Sequence, residues 1–197
     1  MEKESIFIRA LRSVLYRLFR TYWFKAHVLK KKIDINLCLE MLSKKNIAPL
    51  QLKKEDFLLD SEHFDEDKMK SVENRLADAS YLPYGIKEDG ELIYSCWIAL
   101  KYLSLPVKRF RMELHEDEGY LEDDYTVPAA RGKGIHQYML WYRQKIIFEN
   151  NRKNAVIIIN DENKPALHSA MKCGFEKESH FYYGKILGID FWTLNRL

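Results

Sequence analysis

The segment Val127-Pro128-Ala129-Ala130-Arg131-Gly132-Lys133-Gly134-Ile135-His136 constrains this chain more than any other. It joins a strand-like stretch to a long apolar-periodic run over residues 138–148. A strand that ends in a glycine-rich basic turn and re-enters as a helix leaves the first helical N–H groups without intrahelical partners. Those groups lie at the positive end of the helix dipole, a position that suits a phosphate or pyrophosphate. The two glycines let the backbone turn tightly and approach a ligand closely. The segment therefore predicts a strand–turn–helix unit with an anion seat, inside an α/β fold.

The remaining pattern supplies the other elements. Residues 4–29 read as one basic amphipathic helix, with Phe7, Leu11, Val14, Leu15, Leu18 and Tyr22 at helical spacing and Arg9, Arg12, Arg17 and Arg20 opposite. Residues 33–46 read as a second, short helix, and residues 47–52 as a strand that Pro49 restricts to an edge or a strand start. A helix is expected over 65–79 and a hairpin turn at Asp89-Gly90, followed by an apolar strand over 92–100. Residues 109–115 alternate as a half-exposed strand does, and 120–127 form the strand before the glycine turn. Then follow a helix over 135–150, a fully apolar mid-sheet strand over 155–160, a helix over 163–172 and one or two strands over 176–194. This order predicts an α+β type of α/β fold: a mixed, mostly antiparallel central sheet flanked by helices, behind an N-terminal basic amphipathic helix. The expected division is a helical arm over 1–46 and a main domain over 47–197.

Charge separates the same two parts. Residues 1–32 hold nine Lys or Arg against two Glu, or +7, so a chain total of +3 leaves −4 for the rest. A mildly acidic main domain argues against a nucleic-acid-binding core. The arm suits an anionic membrane surface through residues 4–32. The alternative is that its apolar face packs on the domain or on a second copy, giving a homodimer. No apolar run is long enough to span a bilayer, and no secretory pattern opens the chain, so the expected compartment is the cytoplasm, peripheral to the inner face of a membrane if the arm binds lipid. Cys38, Cys96 and Cys173 are scattered and odd in number, which gives neither a disulfide framework nor a metal site.

Two phosphate patterns fail at the turn. A Walker A loop needs Lys-Ser/Thr after its last glycine, where Ile135 and His136 stand, and Gln137 occupies the last glycine of the dinucleotide fingerprint. Arg131-Gly132-Lys133-Gly134-Ile135 resembles instead the acyl-CoA loop of the GNAT acyltransferase superfamily, Arg/Gln-x-x-Gly-x-Gly/Ala, with His136 where that family has Gly or Ala. Downstream, Asn163-Lys164-Pro165-Ala166 and Met171-Lys172-Cys173-Gly174-Phe175 resemble its Asn-x-x-Ala/Ser and Lys-x-Gly-Phe segment. The resemblance covers residues 84–194 and implies acetyl-CoA or another acyl-CoA as co-substrate, without a metal. It implies that the amides of Arg131, Gly132, Lys133, Gly134, Ile135 and His136 hold the pyrophosphate, that Thr126 and Val127 pair with the pantetheine arm, and that Asn163 contacts the cofactor near the thioester.

The resemblance also implies direct acyl transfer to a primary amine, which must lose a proton. The acceptor stays open: an amino sugar, an amino acid or polyamine, a protein amine, or a lipid-linked amine. Glu122 and Asp124 share one face of their strand by period-two spacing and are the candidate bases, with Asp123 facing the other way. The family's tyrosine acid falls at Ala170, so Tyr182 or Tyr183 is the candidate substitute, unless the thiolate leaves unaided. His136 is either a substrate-side residue or a helix-start residue without chemistry. Alternatives are a longer acyl group, with Trp97, Phe110 and Trp141 lining an apolar slot, and a non-catalytic CoA-binding or interaction module.

Overall fold

The computed structural model describes residues 22–60, 63–104, 111–186 and 189–196. Its first element is a strand, β1 (Tyr22–Lys32). Then come helix α1 (Ile35–Ser43), strand β2 (Leu50–Gln51), helix α2 (Lys54–Phe57) and helix α3 (Glu66–Leu76). An antiparallel run follows: β3 (Tyr81–Glu88), β4 (Glu91–Ala99), β5 (Tyr102–Ser104), β6 (Arg111–Glu113) and β7 (Glu118–Thr126). The chain ends with α4 (Ile135–Glu149), β8 (Asn154–Asn160), α5 (Lys164–Lys172), β9 (Glu176–Ile186) and β10 (Ile189–Arg196).

Eight strands form one sheet in the order β10-β9-β1-β8-β7-β4-β3-β2, and β5 and β6 form a separate hairpin. Among the described strands, only β7 and β8 pair in parallel; their connection runs through α4. Pro49 precedes the edge strand β2 as expected. Asp89 and Gly90 close the β3–β4 hairpin with φ of 52° and 86°, the left-handed pair that a two-residue turn requires.

Residues 22–29 correct the expected N-terminal helix. They form most of β1, which pairs with β8 on one side and β9 on the other. Both faces of this strand are covered: Ala26, His27, Val28 and Leu29 are all at most 7% exposed. A strand buried on both faces reads as a continuous apolar run, which periodicity cannot tell from a buried helix. Its basic end is satisfied by its neighbours: Lys30 pairs with Glu118 at 2.6 Å, and Lys31 Nζ donates to the Cys173 carbonyl at 2.7 Å. The division at residue 46 gives way as well. α1 packs through Cys38 into the core shared by Leu140, Trp141 and Phe175, so residues 22–46 belong to the same body as the main domain. The remainder of the amphipathic pattern, residues 4–21, lies outside the described residues.

One face of the sheet carries Leu29, Ile98, Leu121, Ile157 and Ile159 against α1, α4 and α5. The other carries Val28, Ala99, Tyr120, Val156 and Phe181 beneath Leu103 and Leu114 of the β5–β6 region. Among the described residues, Trp97 and Trp141 do not line a common slot. Trp97 stacks on Phe57 at 5.6 Å in one cluster, Trp141 is buried in another, and Phe110 lies outside the described residues.

Candidate functional site

The site begins with an irregularity in β7. Trp97 faces Glu122 and Ser95 faces Tyr125, so Cys96 alone opposes both Asp123 and Asp124. This is a bulge, and Asp123 takes a φ of 54° to make it. Bulges bend a strand and re-aim its side chains. The consequence is visible on the far edge: β7 pairs with β8 only from Glu118 to Leu121. Beyond Leu121 the two strands part, and a cleft of about 310 Å³ lies between them. It is lined by Glu122, Asp123 and Asp124, by Ile158 and Asn160 of β8, and by Arg75, His136 and Asn163.

The period-two expectation for the acids fails at the bulge. Glu122 and Asp123 share one partner, Arg75 of α3, with Nε 3.5 Å from Glu122 and Nη1 donating to Asp123 at 2.6 Å. That guanidinium also lies over the Trp97 ring at 5.3 Å. Asp124 turns the other way. It accepts a hydrogen bond from Tyr94 and another from Arg143 Nη2 at 2.5 Å. Arg143 is fully buried and also donates to the carbonyls of Trp97 and Met139. Burial and the neighbouring Asp124 push the Tyr94 phenol well above its ordinary range, so it remains a donor.

His136 projects from the first turn of α4 into the same cleft, 3.8 Å from Asp124. That distance is too long for a hydrogen bond but short enough for an ion pair when the ring is charged. Burial is the larger cause and Arg143 the smaller in holding the imidazole below its ordinary 6.5, against an opposing pull from Asp124. The ring is therefore neutral at pH 7.

At the mouth of the cleft the glycine turn has the expected shape. Gly132 and Gly134 take φ of 78° and 73°, and Gly134 is the N-cap of α4. The first α-helical bond runs from Tyr138 N to Gly134 O at 3.1 Å, so the amides of Ile135, His136 and Gln137 precede the ladder. Arg131 reaches back to the Thr126 carbonyl at 3.1 Å, and Lys133 lies 3.9 Å from Glu88. Val127 N is engaged by Ile93 O at 3.1 Å. Asn163 lines the cleft as the N-cap of α5, accepting from Ala166 N at 3.2 Å.

The structure thus brings together Glu122, Asp124, His136 and Asn163, with Thr126, Val127 and the loop alongside. Tyr182 is not among them. It lies on β9, separated from β8 by the whole of β1, and its ring faces Lys25 at 5.6 Å. β1 stands between β9 and the cleft, and Tyr182 is not among the residues that line it. Three partners were missed by sequence reasoning. Arg143 had a signal, a cation amid the apolar positions Met139, Leu140, Ile146 and Ile147. Arg75 had none. Nor did Lys45, whose Nζ donates to the Lys133 carbonyl at 2.9 Å and lies 2.7 Å from where a Gly134 side chain would begin. Among the described residues no group of His, Cys, Asp or Glu is arranged to hold a metal ion.

Comparison with known proteins bears on the family and the fold. The model of the acetyltransferase (GNAT) family matches residues 48–175. No curated protein sequence matches at a significant level. A functionally unknown conserved protein from Staphylococcus epidermidis superposes with a TM-score of 0.60 at 8% identity, over 100% of this chain and 69% of that one. A glucosamine N-acetyltransferase region of a fungal multi-domain β-N-acetylglucosaminidase gives 0.60 at 12% identity, over 96% of this chain and 23% of that one. The aminoglycoside N-acetyltransferase AAC(6')-Iy, in complex with CoA, gives 0.52 at 15% identity, over 66% and 92%. At these identities the likeness is one of fold.

Proposed function

Because the chain belongs to the GNAT acetyltransferase family, we propose that it transfers an acyl group, acetyl in the first instance, from coenzyme A to a primary amine. The observation that carries this reading is the parting of β7 from β8 beside the open amides of α4. The residues fit the co-substrate. The β7 edge over residues 122–126 is not paired with β8, which leaves a strand edge for the amide-bearing pantetheine arm, with Thr126 and Val127 at its end. The turn from Arg131 to His136 offers backbone amides for the pyrophosphate, with Lys133, Arg131 and Lys45 supplying positive charge. Asn163 stands on the opposite wall of the cleft. When bound, the thioester supplies an activated acyl carbon.

The chain's own part is to bind and orient the amine. Three carboxylates against two guanidinium groups leave the cleft acidic, which favours a cationic acceptor. Glu122 and Asp124 supply this field from the two sides of the bulge. Asp124 is committed to Arg143 and Tyr94, and so holds the ammonium's surroundings rather than its proton. A small, cationic, amine-bearing acceptor suits the dimensions of the cleft. The aminoglycoside N-acetyltransferase among the structural neighbours supports the same class.

A thermal-shift titration with CoA, dephospho-CoA and acetyl-CoA tests the reading, because a ligand that binds only the folded state raises the Tm by mass action. A rise with CoA is expected, and no rise with any of the three refutes the proposal. Gly134→Glu should abolish the rise, since it sets a carboxylate in the anion seat at a φ of 73°. Lys45→Ala tests the same seat without altering the turn and should weaken the response to CoA while leaving the free Tm near that of the parent.

A further inference from the structure

The family's tyrosine acid is absent, and its position is taken by the buried Ala170. The three carboxylates at the bulge, Glu122, Asp123 and Asp124, are all engaged by guanidinium groups. One imidazole lines the cleft, neutral at pH 7 and set beside an anchored carboxylate. That side chain is His136. Its position is equally unusual. The helix turn that brings amides to a phosphate brings this ring to the bulge, where the unpaired strand edge begins and Asp124 is fixed.

We propose that His136 is the proton carrier of the transfer, taking the proton of the attacking amine and returning it to the departing sulfur. This rests on the acyltransfer reading above. The acceptor first reaches the cleft as an ammonium and loses one proton to solvent. As its nitrogen bonds to the acyl carbon, the second proton passes to the neutral imidazole. The C–S bond then breaks, the electron pair stays on sulfur, and the imidazolium gives its proton to the thiolate. An amide, a free thiol and a neutral imidazole result, so one ring performs both the base and the acid step and the missing tyrosine is not needed. Asp124 acts through His136 as a positioning residue. At 3.8 Å it does little for the neutral ring and stabilises the charged one, and Arg143 and Tyr94 prevent it from turning away. The charged groups facing the ring are Asp124 with Glu122 and Asp123 on β7, Arg143 on its own helix, and Arg75 from α3 across the cleft. Burial opposes the imidazolium, while Asp124 favours it more than Arg143 opposes it, so the ring is neutral at rest and can take up the amine proton, which suits a base rather than a permanent cation.

The test joins a spectroscopic and a kinetic measurement on the full chain. His-labelled protein is titrated by NMR, the His136 ring being assigned by its loss in His136→Gln. Its midpoint should lie below 6.5, fall further in Asp124→Asn or, if that variant does not fold, in Tyr94→Phe, and the ring signal should move when CoA is added. With acetyl-CoA and spermidine, glucosamine and kanamycin as probe amines, His136→Gln should lower kcat by about a hundredfold or more. Its KM for acetyl-CoA and its thermal response to CoA should stay within about twofold of the parent. A ring signal unmoved by CoA in a protein that otherwise binds CoA overturns the proposal and leaves the acyltransfer reading standing, even if no probe amine is accepted. A variant that keeps its kcat but loses CoA binding also overturns it, making His136 a binding contact. Absence of any CoA response in the parent overturns both.

Discussion

Two arginine–carboxylate centres flank one bulge, and they are built to different standards. Arg143 is fully buried and meets Asp124 at 2.5 Å, with Tyr94 as a second donor to the same oxygen. Arg75 keeps 20% of its side chain in solvent, bridges Glu122 and Asp123, and rests on the Trp97 ring. In the first centre, the dry one, both donors are fully buried and Asp124 opens only to the cleft, so each member depends on the others for its charge. The second has water for a further partner. Burying an ion pair is costly and rarely repays in stability alone. The dry centre is therefore best understood as a device for fixing one carboxylate beside His136, and the wet one as a clamp that holds α3 to the bulge.

Breaking the dry centre should have the largest effect. Arg143→Leu leaves the Asp124 carboxylate without its guanidinium and should cost about 3–5 kcal/mol, as breaking buried pairs does. In a chain of this size that is a fall in Tm of roughly 10 °C or more. Urea melts measure it directly. Adding Asp124→Leu to Arg143→Leu should restore part of the loss, because no uncompensated charge then remains. A double variant weaker than the single would show that Asp124 serves stability through contacts other than Arg143. Arg75→Met is the matching change in the wet centre. It removes a half-open contact with the exposed Asp123, a longer 3.5 Å contact with the buried Glu122 and a cation–π contact, so about 1–3 kcal/mol is expected. A loss as large as that of Arg143→Leu would erase the distinction between the two centres.

The same contrast shows what the sequence carried. The glycine turn, α4, β8 and α5 follow local rules, namely positive φ at glycines, apolar periodicity and a capping Asn163, so their type and order were legible. The cleft was legible only through the family resemblance, since the splay depends on a bulge that alternation cannot reveal. Asp123 and Asp124 form one run with Glu122 in sequence, yet the bulge sends them to different arginines 68 residues apart, Arg75 and Arg143. β1 was misread for the opposite reason. Its residues are apolar on both faces because the strand lies in mid-sheet, and nothing local states which strands, 120 residues or more away, will flank it. Tyr182 was misplaced by that error, as β1 occupies the space that would have set β9 against the cleft.

The smallest expected effect concerns the ring that the dry centre serves. Burial holds the folded His136 below the 6.5 of an exposed imidazole. Between 6.5 and that lower value the unfolded chain binds a proton that the folded chain does not, so stability must fall as the pH drops from 7 towards 5. For a single proton the slope is at most about 1.4 kcal/mol per pH unit. The lowered carboxylates Asp56, Asp78 and Asp161 do not enter this window, because their protonation destabilises the fold only at lower pH, around and below 3.8. His180 is also held low and contributes in the same direction, but equally in parent and variant. Urea melts at a series of pH values should therefore show a shallower decline for His136→Gln than for the parent between pH 7 and 5. Parallel curves would mean that the ring gains on folding, from Asp124, as much as it loses to burial and Arg143. The dry centre would then hold its carboxylate in place without leaving the imidazole neutral.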